Sequence, residues 1–248
     1  MSTLIRILKF NLLLFCLFMF LLGCNGKEEA RVDSAVPVET TDPGELIQSA
    51  VKKQEIGAYE EAIEILNKAL EWDPRFVPAQ IRVGWVYEEW DKREEAIEAY
   101  EKTLELDPAN TDARLGLGSV YSKSAWNDLA VEQYLKVAET RPDDPEIHFK
   151  IALEYWYLQD ISKAAEYYQK VTAIDPTHLQ AHLNLISVYE RMKDWEKAIE
   201  EIEIARKLGH ETENQQAISI AENKLIFIKG RMNLTKQEMK RKTEPPFD

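Results

Sequence analysis

The chain has 248 residues, 44 of them acidic and 31 basic, and a formal net charge of −13 at pH 7. A protein this acidic has no general attraction for nucleic acid or anionic lipid. The first element is an apolar run. Arg6 and Lys9 precede it, and Leu12 to Leu22 is an unbroken stretch of 11 apolar residues. That is the length of a signal-peptide core and falls short of the roughly 20 residues that cross a bilayer as a helix.

The run ends in Leu21-Leu22-Gly23-Cys24. This block resembles the lipobox of bacterial lipoproteins. The resemblance implies cleavage before Cys24 and a lipid on its sulfur, with 1–23 as the signal peptide. The alternative is an ordinary signal or an uncleaved anchor with an incidental cysteine. Cys16 would leave with the signal, so the mature chain has no disulfide. Losing Arg6 and Lys9 would take the charge from −13 to −15. Asn25 stands where an aspartate retains enteric lipoproteins at the inner membrane, so the expected address is the periplasmic side of the outer membrane. Residues 24–42 are expected to be the lipidated cysteine and a disordered tether, polar, mixed in charge and without apolar periodicity. It reaches at most roughly 60 Å.

A repeat follows. Pro74, Pro108, Pro142 and Pro176 are 34 residues apart, as are Ala62, Ala96, Ala130, Ala164 and Ala198. Tyr87, Tyr121, Tyr155 and Tyr189 keep the same period, as do Tyr100, Tyr134 and Tyr168. Each unit reads as two amphipathic helices, for example Val77–Trp90 and Arg93–Leu106. Alanine in the second helix faces a small site on the first, which is Ala50, Gly84, Gly118 and Ala152. A larger side chain there would overpack the crossing by about 1–3 kcal/mol. The prolines end one helix and lead to the next. Asp91-Lys92-Arg93-Glu94 reads as a capping pair heading a second helix.

This pattern resembles the tetratricopeptide repeat. The resemblance implies an all-α, right-handed α-α superhelix of five helix-turn-helix units over 43–210, approximately 43–76, 77–110, 111–144, 145–178 and 179–212. End units depart from it. Ser49 and Lys53 replace apolar residues, Ile186 replaces the small residue, and Gly209-His210 replaces Asp-Pro. A capping helix is expected at about 211–234, roughly Glu213 to Met232, with an inner stripe of Ile218, Ala221, Leu225 and Ile228. Leu225 to Ile228 is apolar all round, which suggests a deep cap or a homodimer surface. The tail 235–248 is expected to be disordered, its basic stretch Lys236 to Lys242 a frayed terminus.

In such a stack the first helices line an open concave groove. The resemblance carries that lining onto Ile81, Trp85, Glu88 and Glu89, then Leu115, Ser119, Ser122 and Lys123. Phe149, Leu153, Trp156 and Tyr157 come next, followed by Leu183, Ser187, Glu190 and Arg191. Trp85, Phe149, Trp156 and Tyr157 would anchor a protein segment. The Lys and Asn clamp with which some family members grip a terminal carboxylate is missing, so an apolar ligand is expected.

Enzyme signals are poor. Gly116-Leu117-Gly118-Ser119 looks faintly like a phosphate loop but falls mid-helix. His178 and His182 have metal-ligand spacing without a third ligand; His148 and His210 are isolated. No nucleophile is paired with a base. The expectation is a non-enzymatic, membrane-anchored scaffold for envelope proteins, with no cofactor, metal or nucleic acid. The alternatives are a receptor for a peptide or glycan fragment and, weakest, a hydrolase or metal enzyme.

Overall fold

The computed structural model describes residues 42–243, with side chains through Asn233. Cys24, the segment 1–23, the tether up to residue 41 and the end of the tail, 244–248, lie outside the described residues. Among the described residues there are eleven helices and no strand. They are α1 (Pro43–Glu55), α2 (Tyr59–Trp72), α3 (Val77–Glu89), α4 (Arg93–Leu106), α5 (Thr111–Lys123), α6 (Asn127–Thr140), α7 (Pro145–Tyr157), α8 (Ile161–Ile174), α9 (Leu179–Met192), α10 (Trp195–Glu211) and α11 (Gln215–Thr243). Consecutive helices pack as hairpins, and α3 also touches α1 and α5. The result is a right-handed superhelix of stacked helical hairpins.

Local chemistry sets the helix ends. Asp42, Asn110 and Asp144 cap first helices, accepting from the backbone N–H of Gly44, Ala113 and Glu146 at 3.0 Å each. Asp73, Asp107 and Asp175 close second helices. The proline after each disfavours helical backbone, and each carboxylate accepts from the N–H two residues on, at 2.9, 3.2 and 2.9 Å.

The turn inside each hairpin was not foreseen. Gly57, Asp91, Ala125, Gln159 and Lys193 all have positive φ, between 57° and 75°, and stand 34 residues apart. Four of the five are not glycine, although a side chain there costs about 1–2 kcal/mol. Asp91 is therefore not a helix cap. Lys92 holds that position without a side-chain bond, and Asp91 instead accepts from the Arg93 Nε at 3.1 Å.

The core runs along the helix crossings. Ala62, Ala96, Ala130, Ala164 and Ala198 are fully buried. Tyr100 is wedged between α3 and α5, where a Cβ on Gly84 would fall 2.5 Å from its ring and one on Gly116 2.3 Å. Tyr134 presses on Gly118 in the same way, at 2.3 Å. In the end units Leu66 and Ile202 occupy the positions of these tyrosines. With a shorter side chain there, unit five accommodates the buried Ile186 where inner units need glycine or alanine.

The C-terminal end departs from expectation. No proline stops α10, which continues through Gly209 and His210 to Glu211. Gly209 lets α11 approach, since a Cβ there would lie 2.9 Å from the Ile218 side chain. The capping helix starts at Gln215, where Asn214 accepts from the Ala217 N–H at 3.0 Å, and passes Met232 to reach Thr243. Ala217, Ile218, Ala221 and Ile228 are buried, and Leu225 is half-buried. Ile226 and Phe227 are exposed, so the apolar run is not a deep cap on all sides.

Candidate binding groove

The expected lining residues all lie on first helices, and one of them is buried. Ile81 is 7% exposed and joins the core, so it offers nothing to a ligand. Trp85, Leu115, Phe149, Leu153, Trp156 and Leu183 are half-buried, each with part of its surface open. Tyr157 is exposed, at 55%. Arg82 lies over the Trp85 ring at 4.3 Å, and Arg191 over Trp156 at 5.3 Å. Phe149 sits between His178 and Tyr168, at 4.9 and 5.6 Å.

The polar part of the lining is a bonded network rather than a set of free groups. Glu88 accepts from the Tyr100 hydroxyl at 2.7 Å, from Ser119 at 2.6 Å and from the Lys123 ammonium at 2.7 Å. Burial pushes this carboxyl up, but the three hydrogen bonds outweigh it and hold it below its ordinary value. Burial, with the Glu88 charge and hydrogen bond, pushes the Tyr100 hydroxyl well above the usual phenol range. Each partner of Glu88 comes from another helix, so the network ties α3 to α4 and α5. Gln54 donates to Glu89, and Lys224 to Glu190. Ser122 donates to Glu154 at 2.6 Å.

Glu154 is the residue the sequence reading missed. Its sister positions are Val86, Val120 and Val188 in units two, three and five, and Lys52 in the end unit. It is 1% exposed, and one carboxylate oxygen has no hydrogen-bond partner. Burial pushes its pKa up, against the Ser122 hydrogen bond and the nearby Lys150. The break in a valine series was the available signal. Beside it in the groove, Leu153, Trp156, Tyr157, Tyr168, Asn184 and Ser187 line a cavity of about 180 Å³. Its polar edge is set by the Asn184 amide, which donates to the Tyr168 hydroxyl at 3.0 Å.

The other candidate residues are structural. Gly116 and Gly118 lie within α5 against two tyrosine rings. His178 heads α9, its Nδ1 accepting from the Ala181 N–H at 3.1 Å. His182 is buried, with Nδ1 2.6 Å from a Glu201 oxygen and Nε2 3.1 Å from the Pro176 carbonyl. Two acceptors suit an imidazolium. Burial opposes the charge, yet these bonds raise the pKa above its ordinary value. The position recurs in other units, where Arg114 and His148 reach the carbonyls of Pro108 and Pro142 at 2.6 and 2.7 Å. Among the described residues no three His, Cys, Asp or Glu side chains are grouped to hold a metal ion.

Three segments match models of the tetratricopeptide repeat: 53–76, 92–124 and 156–219. The chain therefore contains tetratricopeptide repeats. No curated protein matches it. Among solved structures it is similar to MamA from Desulfovibrio magneticus RS-1, with a TM-score of 0.63 and 22% identity over 68% of this chain and 97% of that one. A MamA RS-1 double mutant gives a TM-score of 0.64 and 22% identity, over 69% and 97%. YrrB, described as a TPR protein with an unusual peptide-binding site, gives 0.61 and 26%, over 74% and 91%.

Proposed function

We propose that the protein is a membrane-anchored scaffold that holds a segment of a protein partner in its concave groove. The observation that carries this reading is the set of rings on two units, Trp85, Phe149, Trp156 and Tyr157, that keep part of their surface open, the first three while resting on the core. Aromatic rings of this kind dominate interface energies. The cavity beside Trp156, at about 180 Å³, is below the roughly 300–1,000 Å³ of small-molecule sites. It fits one side chain of a polypeptide better than a free ligand. A partner suited to this floor offers polar groups as well as apolar ones, because Asn184 and Ser187 line the cavity beside Trp156. The likeness to YrrB supports a peptide ligand. The Leu21–Cys24 block supports a lipid anchor, and with Asn25 it supports a place at the periplasmic face of the outer membrane in cell-envelope assembly or regulation.

The test is capture of envelope proteins by the wild type and by Trp85→Ala/Trp156→Ala, with Trp126→Ala as control. Trp126 is 50% exposed and is not a groove position. A partner lost with the groove pair and kept with the control supports the reading. Unchanged capture overturns it. Stabilisation by cell-wall fragments in a partnerless protein would instead favour a small-ligand receptor.

A further inference from the structure

We propose that the outer face of α11, from Ile226 onward, docks on an anionic lipid surface. Charge is sharply divided along the chain. Residues 42–214 hold 36 acidic and 20 basic side chains, a net −16, whereas 215–243 hold 7 basic and 2 acidic, a net +5. The basic stretch read from sequence as a frayed terminus is continuous with a helix.

The described part of that helix shows the mixture that interfacial helices use, apolar groups bordered by cations. Ile226 is 72% exposed and Phe227 45% exposed, turned away from the buried Ala221 and Ile228. Lys229 and Arg231 are exposed beside them, and the Arg231 guanidinium lies 5.2 Å over the Phe227 ring. Lys236, Lys240, Arg241 and Lys242 follow in the sequence.

Dimensions carry the basic end of this face, beyond about residue 231, clear of α10. At about 1.5 Å per residue, the 29 residues of α11 span roughly 43 Å, and the 17 of α10 roughly 25 Å. The two helices form a hairpin, so the end of α11 runs some 18 Å past its neighbour by the same rise. The Debye length at physiological salt is about 8 Å. The overhang therefore meets a surface with most of the stack's negative charge screened. No described helix is long and apolar enough to cross a membrane, so the contact is with the surface. A second copy is the poorer occupant, because pairing two α11 helices would bring two +5 segments together.

The test uses the chain from residue 25, which lacks the apolar segment and Cys24 and keeps the whole described stack. It is sedimented with vesicles of phosphatidylcholine, with or without phosphatidylglycerol. Binding is expected only to the anionic vesicles and should disappear near 1 M salt, where the Debye length is about 3 Å. Each Lys or Arg near such a surface is worth about 1 kcal/mol, or roughly 5-fold. The Lys229→Gln/Lys236→Gln/Lys240→Gln/Lys242→Gln variant should lose more than about 100-fold in partitioning. Ile226→Ser/Phe227→Ser should lose about 10-fold or more. These positions are exposed or follow the packed part of α11, and circular dichroism checks that the stack is intact. No binding, equal binding to both vesicles, or undiminished binding by the lysine variant overturns the proposal. So does a dimer that depends on Phe227 in a chain that ignores vesicles.

Discussion

Gly116→Ala should destabilise the protein, against the usual preference of helices for alanine. Helix propensity alone predicts a gain of about 1 kcal/mol. The added Cβ would stand 2.3 Å from Cζ of Tyr100, 2.5 Å from Cε1 and 2.6 Å from Cε2. Carbon atoms rest at about 3.5–4.0 Å, so the ring has to retreat by more than about 1 Å. It cannot retreat toward α3, where Gly84 already leaves no room for a methyl group. Overpacking of this kind costs about 1–3 kcal/mol. Moving the ring also strains the 2.7 Å bond from its hydroxyl to Glu88, and a hydrogen bond to a charged group contributes about 1.5–3 kcal/mol. The net expectation is a loss of about 2–4 kcal/mol after the propensity gain. Urea unfolding measures it as a lower midpoint at unchanged slope. Adding Tyr100→Leu, the residue that unit one carries at position 66, should recover at least about 1 kcal/mol of the packing loss. A neutral or stabilising Gly116→Ala, or a double variant that is merely additive, would refute the wedge argument.

Gly230→Ala is the converse case. Its Cβ meets nothing within 4 Å on an exposed helix face, so a gain of up to about 1 kcal/mol should appear in the same unfolding assay. Glu154→Val restores the residue of three sister units and removes a buried oxygen without a partner, and should stabilise by about 1–3 kcal/mol at pH 7. Because the folded pKa of Glu154 is raised, the wild type loses stability as pH climbs from the ordinary 4.5 through the shifted value. The variant should lack that part of the pH profile; a parallel profile would count against a buried, titrating carboxyl. His182 has its folded pKa raised above 6.5, so its contribution is full below that pH and fades as pH rises through the shifted value. His182→Gln should cost about 1.5–3 kcal/mol near pH 5.5 and less at pH 9. An equal loss at both would show that Glu201 does not hold an imidazolium.

The stack was legible because one helix crossing recurs five times, three of them around a tyrosine. A crossing that must close around a tyrosine selects glycine or alanine opposite it, and a period of 34 exposes that selection in several series at once. Ile186 looked like an end defect and is in fact a volume exchange, since its partner position has shrunk from tyrosine to Ile202. What stayed hidden depends on backbone geometry or on three-dimensional neighbours. The left-handed turns at Asp91, Ala125, Gln159 and Lys193 carry no glycine to mark them, because the surrounding hairpin over-determines the conformation. Gly116 has Arg82, Lys150 and Asn184 at its sister positions, so periodicity alone gave it no role; only the Tyr100 ring explains it. Its place in the unit predicts Ile81 in the groove, yet it is buried in the core cluster that holds Tyr100 and Leu117. The end of α11 was set too early because sequence beyond Met232 lost its apolar stripe, and a helix can outlast its contacts.

The groove gains its shape from the same tyrosines that hold the stack. Tyr100 and Tyr168 bury their rings between units but reach Glu88 and Asn184 with their hydroxyls, so the ligand face is fixed by the core beneath it. Lys123 is held by Glu88, and Arg191 rests on Trp156. Groove cations are therefore placed before any partner arrives, which lowers the entropy cost of binding. Trp85 and Trp156 lie two units apart. First helices that pack at about 8–10 Å put roughly 20 Å between them, and an extended segment covers that distance in about six residues at 3.3 Å each. A single side chain cannot reach both rings. On the proposed function the partner segment carries two separated anchors, and losing either ring should weaken binding without abolishing it. Losing both leaves Phe149, Tyr157 and the leucines on one stretch, too short to hold a segment at two separated points.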